Sequence, residues 1–288
     1  MKIQISEKVQ EVSLEEIVAD IITISKGIVA RVQMLKEYPF IPYQNELSQL
    51  LTNDTIDRFV SIVSTLDIPY TVYHKKKRED IFSENNTESF EKGLIIQSWS
   101  TLGSALESLL QIFLSVYLEQ YKDSNWGVWE VQEIDNAKEA LNETLDLLVE
   151  TNKEGNGKGI TGKRRKSLKK EINSYLDRKA KILDIKSITL SDLLAFYKTQ
   201  NIFKGNEADE WVAELNKIRE YRNGIHSFQD RIIGDWDEYI HSVKIFVWFL
   251  MDIFNRFPEV ESEIPLLEDY FIDMRKATRC CLKLKSNR

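Results

Sequence analysis

FEKGLIIQSWSTLGSALESLLQIFLSVYLEQY, residues 90–121, decides the fold class. Trp99, Leu102, Leu106, Leu109, Phe113 and Val116 recur at intervals of three and four, and Ile95, Leu110, Leu114 and Tyr117 widen the stripe. Such spacing stacks side chains on one side of an α-helix. The spacing predicts one long helix from Phe90 to Tyr121. An apolar arc this broad calls for burial on two sides, either central in a bundle or shared with a second subunit.

Outward from that helix the same period recurs. Ser13 with Glu16 forms a capping-box signature, and Leu14, Ile17, Ile21, Ile24, Ile28 and Val32 come next at helical spacing. Pro39 and Pro42 close that helix near Glu37. Thr52 or Asn53-Asp54 can cap a second helix facing inward through Ile56, Phe59, Val60 and Val63, which Pro69 ends; Tyr70–Tyr73 is then briefly extended. The charged stretch 74–92 makes the best boundary, giving an N-terminal helical region 1–82 and a main domain 83–288. Within the latter, an acidic amphipathic helix from about Asp135 to Val149 precedes a basic loop 155–170, with a basic helix resuming around Lys166. Further helices are predicted through Leu193, Leu194, Phe196 and Tyr197, over 208–222 with Trp211, Leu215 and Ile218 inward, after Asp235, and from about Pro265 to Leu282. No convincing strand alternation or fixed-period repeat is present. The class is all-α.

Composition narrows the function. With 42% hydrophobic and 30% charged residues the chain is an ordinary globular one. No secretory leader is evident, and neither 93–121 nor 243–257 suits a bilayer, since Glu107 and Asp252 interrupt them; the expected location is cytoplasmic. Adjacent Cys280 and Cys281 read as reduced thiols, and three scattered histidines do not suggest a metal site. A net charge of −7 argues against nucleic-acid affinity over the whole surface. It does not exclude local binding, because Lys158–Lys170 holds seven basic residues and no acid, and Met274–Arg288 six. Gly157 to Lys163 imitates a phosphate-binding loop. However, Arg164 stands where a magnesium-binding hydroxyl is needed, and no buried strand precedes. The residues Lys163, Arg164, Arg165 and Lys166 read instead as part of a flexible basic loop, either solvated or touching a nucleic-acid backbone.

The candidate chemistry lies in Lys217-Ile-Arg219-Glu-Tyr221-Arg222-Asn223-Gly224-Ile-His226-Ser227. If the preceding helix continues, Arg219, Arg222 and His226 share one face, a cationic clamp beside a titratable imidazole. The plainer reading is a helix end stopped by Asn223-Gly224, with His226 exposed. His74 and His241 read as structural.

This arrangement resembles the HEPN superfamily of helical-bundle proteins, whose signature is an arginine, four to six intervening residues and a histidine. Arg219 to His226 has six between; Arg222-Asn223 resembles the family's frequent arginine–polar pair. The resemblance extends over roughly 88–260, through Ala105–Ser108 on the long helix, the Leu190–Leu194 helix and the segment after His226, with 122–186 as an insertion. It implies a metal-independent endoribonuclease needing no cofactor. His226 would move the proton, Arg219 together with Arg222 would stabilise the phosphate, Asn223 would orient the histidine or the phosphate, and a homodimer would supply a second motif. The product would be a 2′,3′-cyclic phosphate. The family also implies toxin or anti-phage roles and an antitoxin partner. The competing expectation is a non-catalytic dimeric scaffold or nucleotide-binding module.

Overall fold

The computed structural model describes residues 4–5, 13–38, 43–78, 87–153, 159–199, 208–225, 232–258 and 284–285. The described elements are β1 (Gln4–Ile5), α1 (Leu14–Glu37), α2 (Gln44–Leu50), α3 (Asn53–Val63), α4 (Ile68–Arg78), α5 (Thr87–Val116), α6 (Leu118–Asp123), α7 (Val131–Lys153), α8 (Gly162–Lys179), α9 (Leu190–Thr199), α10 (Ala208–Arg222), α11 (Trp236–Arg256) and β2 (Leu284–Lys285). The fold is an all-α bundle; its one sheet among the described residues is the two-residue antiparallel pair β1–β2.

The chain divides into two compact units, Met1–Leu118 with Thr189–Arg288, and Glu119–Ile188. The contacts do not divide at residue 82 as the charged stretch suggested, because α1 packs along α11 and α3 packs on α5. The stretch expected as an insertion, 122–186, falls inside the second unit.

In the first unit α1 starts at a complete capping box, with the Ser13 hydroxyl accepting from the Glu16 amide and Glu16 returning to the Ser13 amide. It buries Ile17, Ile21, Ile24, Ile28 and Val32. Thr52 is the cap of α3. Pro69 does not end that helix. It lies in the first turn of α4, where a missing N–H costs no hydrogen bond, so Tyr70–Tyr73 is helical rather than extended.

Helix α5 is touched by α3, α4, α9, α10 and α11. Ile95, Trp99, Leu102, Leu106, Leu109 and Phe113 are all buried. Partners within the chain therefore account for the wide apolar arc. The helix is interrupted at Tyr117, short of Tyr121; the Tyr117 hydroxyl donates to the carbonyl of Arg256. Arg31 donates to the carbonyl of Phe254 at 3.2 Å. Between them these two side chains satisfy carbonyls that the end of α11 leaves open. That helix begins at a second capping box, Asp235 with Glu238, and is buried on nearly every side. The expected helix over 265–282 and the inward placement of Trp211 lie outside the described residues.

In the second unit α7 and α8 form an antiparallel hairpin. The Trp129 amide donates to the Lys179 carbonyl at 2.8 Å at one end, and Ile160 to Leu148 at 3.0 Å at the other. Lys138 pairs with Asp177 and Arg165 with Asp146 across it. A Cβ at Gly159 would lie 2.2 Å from the Leu148 carbonyl oxygen, so only glycine lets the chain turn this tightly against α7. Helix α8 starts at Gly162 under a Thr161 cap, earlier than Lys166. Lys163–Lys166 consequently belong to a helix, not to a loop.

Candidate functional site

Helix α10 presents three flanks. Leu215 and Ile218 are fully buried. On one side Arg219 donates from Nη1 to the Ser191 hydroxyl of α9 at 2.7 Å, and its Nη2 is 4.0 Å from Glu220. Its Nε is buried without a partner among the described residues. Three residues on, Arg222 crosses to α5 and pairs with Glu107 at 2.6 Å. Arg219 and Arg222 thus serve different helices, and they do not close on one another as a two-arginine clamp.

Arg222 reaches Glu107 by lying over Gly103, one turn earlier on α5. A Cβ at Gly103 would stand 2.5 Å from Arg222 Cδ and 3.0 Å from Cγ. Helix propensity alone predicts that Gly103→Ala stabilises by about 1 kcal/mol. Overpacking against the arginine stem costs about 1–3 kcal/mol and displaces the ion pair. The second effect is the larger. Gly103→Ala is therefore expected to lower the urea midpoint; a raised midpoint would show that Arg222 moves aside freely.

On the third flank Tyr221 donates to Glu238 at 2.9 Å and lies against Trp99, with ring centroids 4.5 Å apart. Burial and the Glu238 carboxylate push its phenol up to about 12. At neutral pH it keeps its proton and acts as a strut between α10 and α11, not as a base. Glu214 takes Lys217 at 2.9 Å and stands 3.9 Å from His241 Nε2. Burial lowers the His241 pKa, so this imidazole is neutral near pH 7. It is partly exposed instead of enclosed in the apolar helix. His74 packs against Tyr70, with centroids 4.2 Å apart.

The α-helix ends at Arg222, and Asn223–Ile225 form a 3-10 turn with Asn223 half-buried. The described chain leaves α-helical register at Asn223, so the α-helix does not continue through Ile225. His226 and Ser227 themselves lie outside the described residues.

The four candidate RNA-binding residues separate in the second unit. Lys163, Arg164 and Lys166 are exposed on the first turns of α8. Arg165 turns toward α7 and pairs with Asp146. The basic surface continues from Lys166 past those four residues: Lys166, Lys169, Lys170, Arg178 and Lys181 line a concavity of about 680 Å³. The i, i+3, i+4 spacing of Lys166, Lys169 and Lys170 was the signal that could have found it. Among the described residues no group of three His, Cys, Asp or Glu side chains is placed to hold a metal ion.

No family model matches the chain, and no curated protein or solved structure matches it.

Proposed function

We propose that the chain is a metal-independent endoribonuclease of HEPN-like type, acting in a toxin or phage-defence setting. The ribose 2′-oxygen attacks the adjacent phosphorus, the bond to the 5′-oxygen breaks, and a 2′,3′-cyclic phosphate remains. His226 takes the 2′-hydroxyl proton, and His226 of a second copy in a homodimer returns a proton to the leaving oxygen. Arg219 stabilises the charge on the phosphorane, with Asn223 orienting the phosphate. Lys163, Arg164 and Lys166 hold the RNA backbone.

The observation that carries this reading is the unequal engagement of the two arginines. Arg222 is committed to Glu107 at 2.6 Å, whereas Arg219 has a hydroxyl partner and, among the described residues, no carboxylate nearer than 4.0 Å. Arg219 is also the arginine with the family's spacing to His226. Its charge remains available to an anion; that of Arg222 is largely neutralised. The Arg222–Glu107 pair equally favours a second reading, in which half of the motif is structural and the chain is a non-catalytic scaffold.

Separating kinetics from stability tests the choice. Arg219→Ala is expected to lower kcat/KM on a defined oligoribonucleotide by about 10²–10³ with a small change in Tm. Arg222→Ala is expected to cost about 1–3 kcal/mol by leaving Glu107 unpaired, with much of the folded enzyme's activity kept. The opposite assignment of effects would overturn the role of Arg219. Activity absent from the wild type, with or without divalent ions, would favour the scaffold.

A further inference from the structure

Helix α8 carries a cationic strip that the hairpin does not use. Lys166, Lys169, Lys170, Arg178 and Lys181 lie on or beside one face over about 20 Å, with uncharged Asn173 and Ser174 between them. None of the five makes an ion pair among the described residues; the cross-hairpin pairs involve Arg165 and Lys138. The one carboxylate lining the concavity, Asp177, accepts Lys138 of α7 at 2.9 Å and is compensated from within the hairpin. Glu171 outside it accepts from Ser167. The acids of α8 thus leave the strip positive, although the whole chain is negative.

Past the Arg178 edge of this strip, outside the concavity, are two partly exposed rings. Tyr175 is 50% exposed and Trp129 37%. Lys179 stands between them, 5.5 Å from the Tyr175 centroid and 5.9 Å from that of Trp129, and Arg178 is 5.9 Å from Tyr175. Rings that remain partly exposed although cations lie over them suit a ligand that is both polyanionic and flat-ringed. Bases stack on such rings only when their faces are free, while the phosphates track the cations. Paired RNA hides its base faces and could use the cations alone.

We propose that this face of α8, with Tyr175 and Trp129, is a binding strip for unpaired RNA. It extends the RNA-backbone role given above to Lys163–Lys166 and names the substrate class as single-stranded. It does not depend on the chemistry at Arg219 and His226. The strip is complete within the second unit.

The test is fluorescence anisotropy of the full-length protein with a 2′-O-methyl oligoribonucleotide, which cannot be cut by 2′-oxygen attack, single-stranded and annealed to its complement. The single strand is expected to bind more tightly than the duplex. With five phosphate contacts its affinity falls about a hundredfold between about 50 and 200 mM salt. Lys166→Gln with Lys170→Gln reduces the slope of log K against log salt by about 1.4. Tyr175→Ala weakens the single-strand complex about ten- to a hundredfold and leaves the duplex complex unchanged. All three positions are exposed, so far-UV circular dichroism should match the wild type. Binding indifferent to the lysine pair would overturn the strip. Equal affinity for duplex, unaffected by Tyr175→Ala, would overturn its single-strand character. Binding to phosphatidylserine vesicles without binding to RNA would show a membrane surface instead. Binding as expected from a protein that cuts no RNA would keep the strip and remove the ribonuclease. Cleavage that persists while the lysine and tyrosine variants bind normally would do the reverse.

Discussion

His226→Ala is expected to lower RNA cleavage by about two to four orders of magnitude, the contribution of a positioned proton-transfer group. The proposed reaction needs two proton transfers. Attack by the 2′-oxygen requires removal of a proton, and departure of the 5′-oxygen requires delivery of one. An arginine guanidinium stays protonated near neutral pH and can do neither. Two other titratable groups near α10 are poorly suited: Tyr221 is pushed up to about 12 and donates to Glu238, while His241 of α11 stands beside Glu214 of α10. The measurement is initial cleavage rate of a labelled RNA by purified variant and wild type, with unfolding midpoints recorded in parallel. A 2′,3′-cyclic phosphate on the wild-type product identifies the attacking group. Undiminished cleavage by the variant would sink the site.

Trp99→Ala is expected to have the largest effect on stability. Trp99 is fully buried and stands at the junction of α5, α10 and α11, 4.5 Å from the Tyr221 ring and edge-on to Tyr239 at 5.3 Å. Removing an indole from such a site costs about 3–5 kcal/mol in transfer and cavity terms. That is a large part of the 5–15 kcal/mol typical of a domain. At about 2–4 °C per kcal/mol the Tm should fall by about 6–20 °C. Tyr221 would lose the ring it lies on, and with it the positioning of Glu238, which caps α11. Trp99→Phe should recover much of the loss. A cost below about 1 kcal/mol for the alanine variant would show that this junction does not hold the bundle together.

The residues that carry these effects are legible in the sequence to different degrees. Trp99 stands on the apolar stripe, and its burial follows from the period of the helix. The capping residues Ser13 and Thr52 can be read from their spacing to the first helical residues. Tyr70–Tyr73 misleads, since a run of β-branched and aromatic residues resembles a strand, and Pro69 serves as a helix start, not a stop. Lys163–Lys166 resemble a loop because glycines surround them, yet the close approach of Gly159 to α7 lets α8 begin directly after the turn. The boundary at 82 fails for another reason: charge marks solvent exposure, not independence of the segments on either side.

What this sequence determined by itself is the all-α class and the inward faces of the longer helices, including α10 from Ala208 to Arg222. Those properties depend on side chains three and four residues apart, which the backbone brings together whatever the rest of the chain does. Only the tertiary structure decided how each charge is used. Arg222 meets Glu107 across α5 and Arg219 meets Ser191 across α9, while their spacing of three suggested a common purpose. A charge takes the partner that packing places within hydrogen-bond reach, and those partners come from helices distant in sequence.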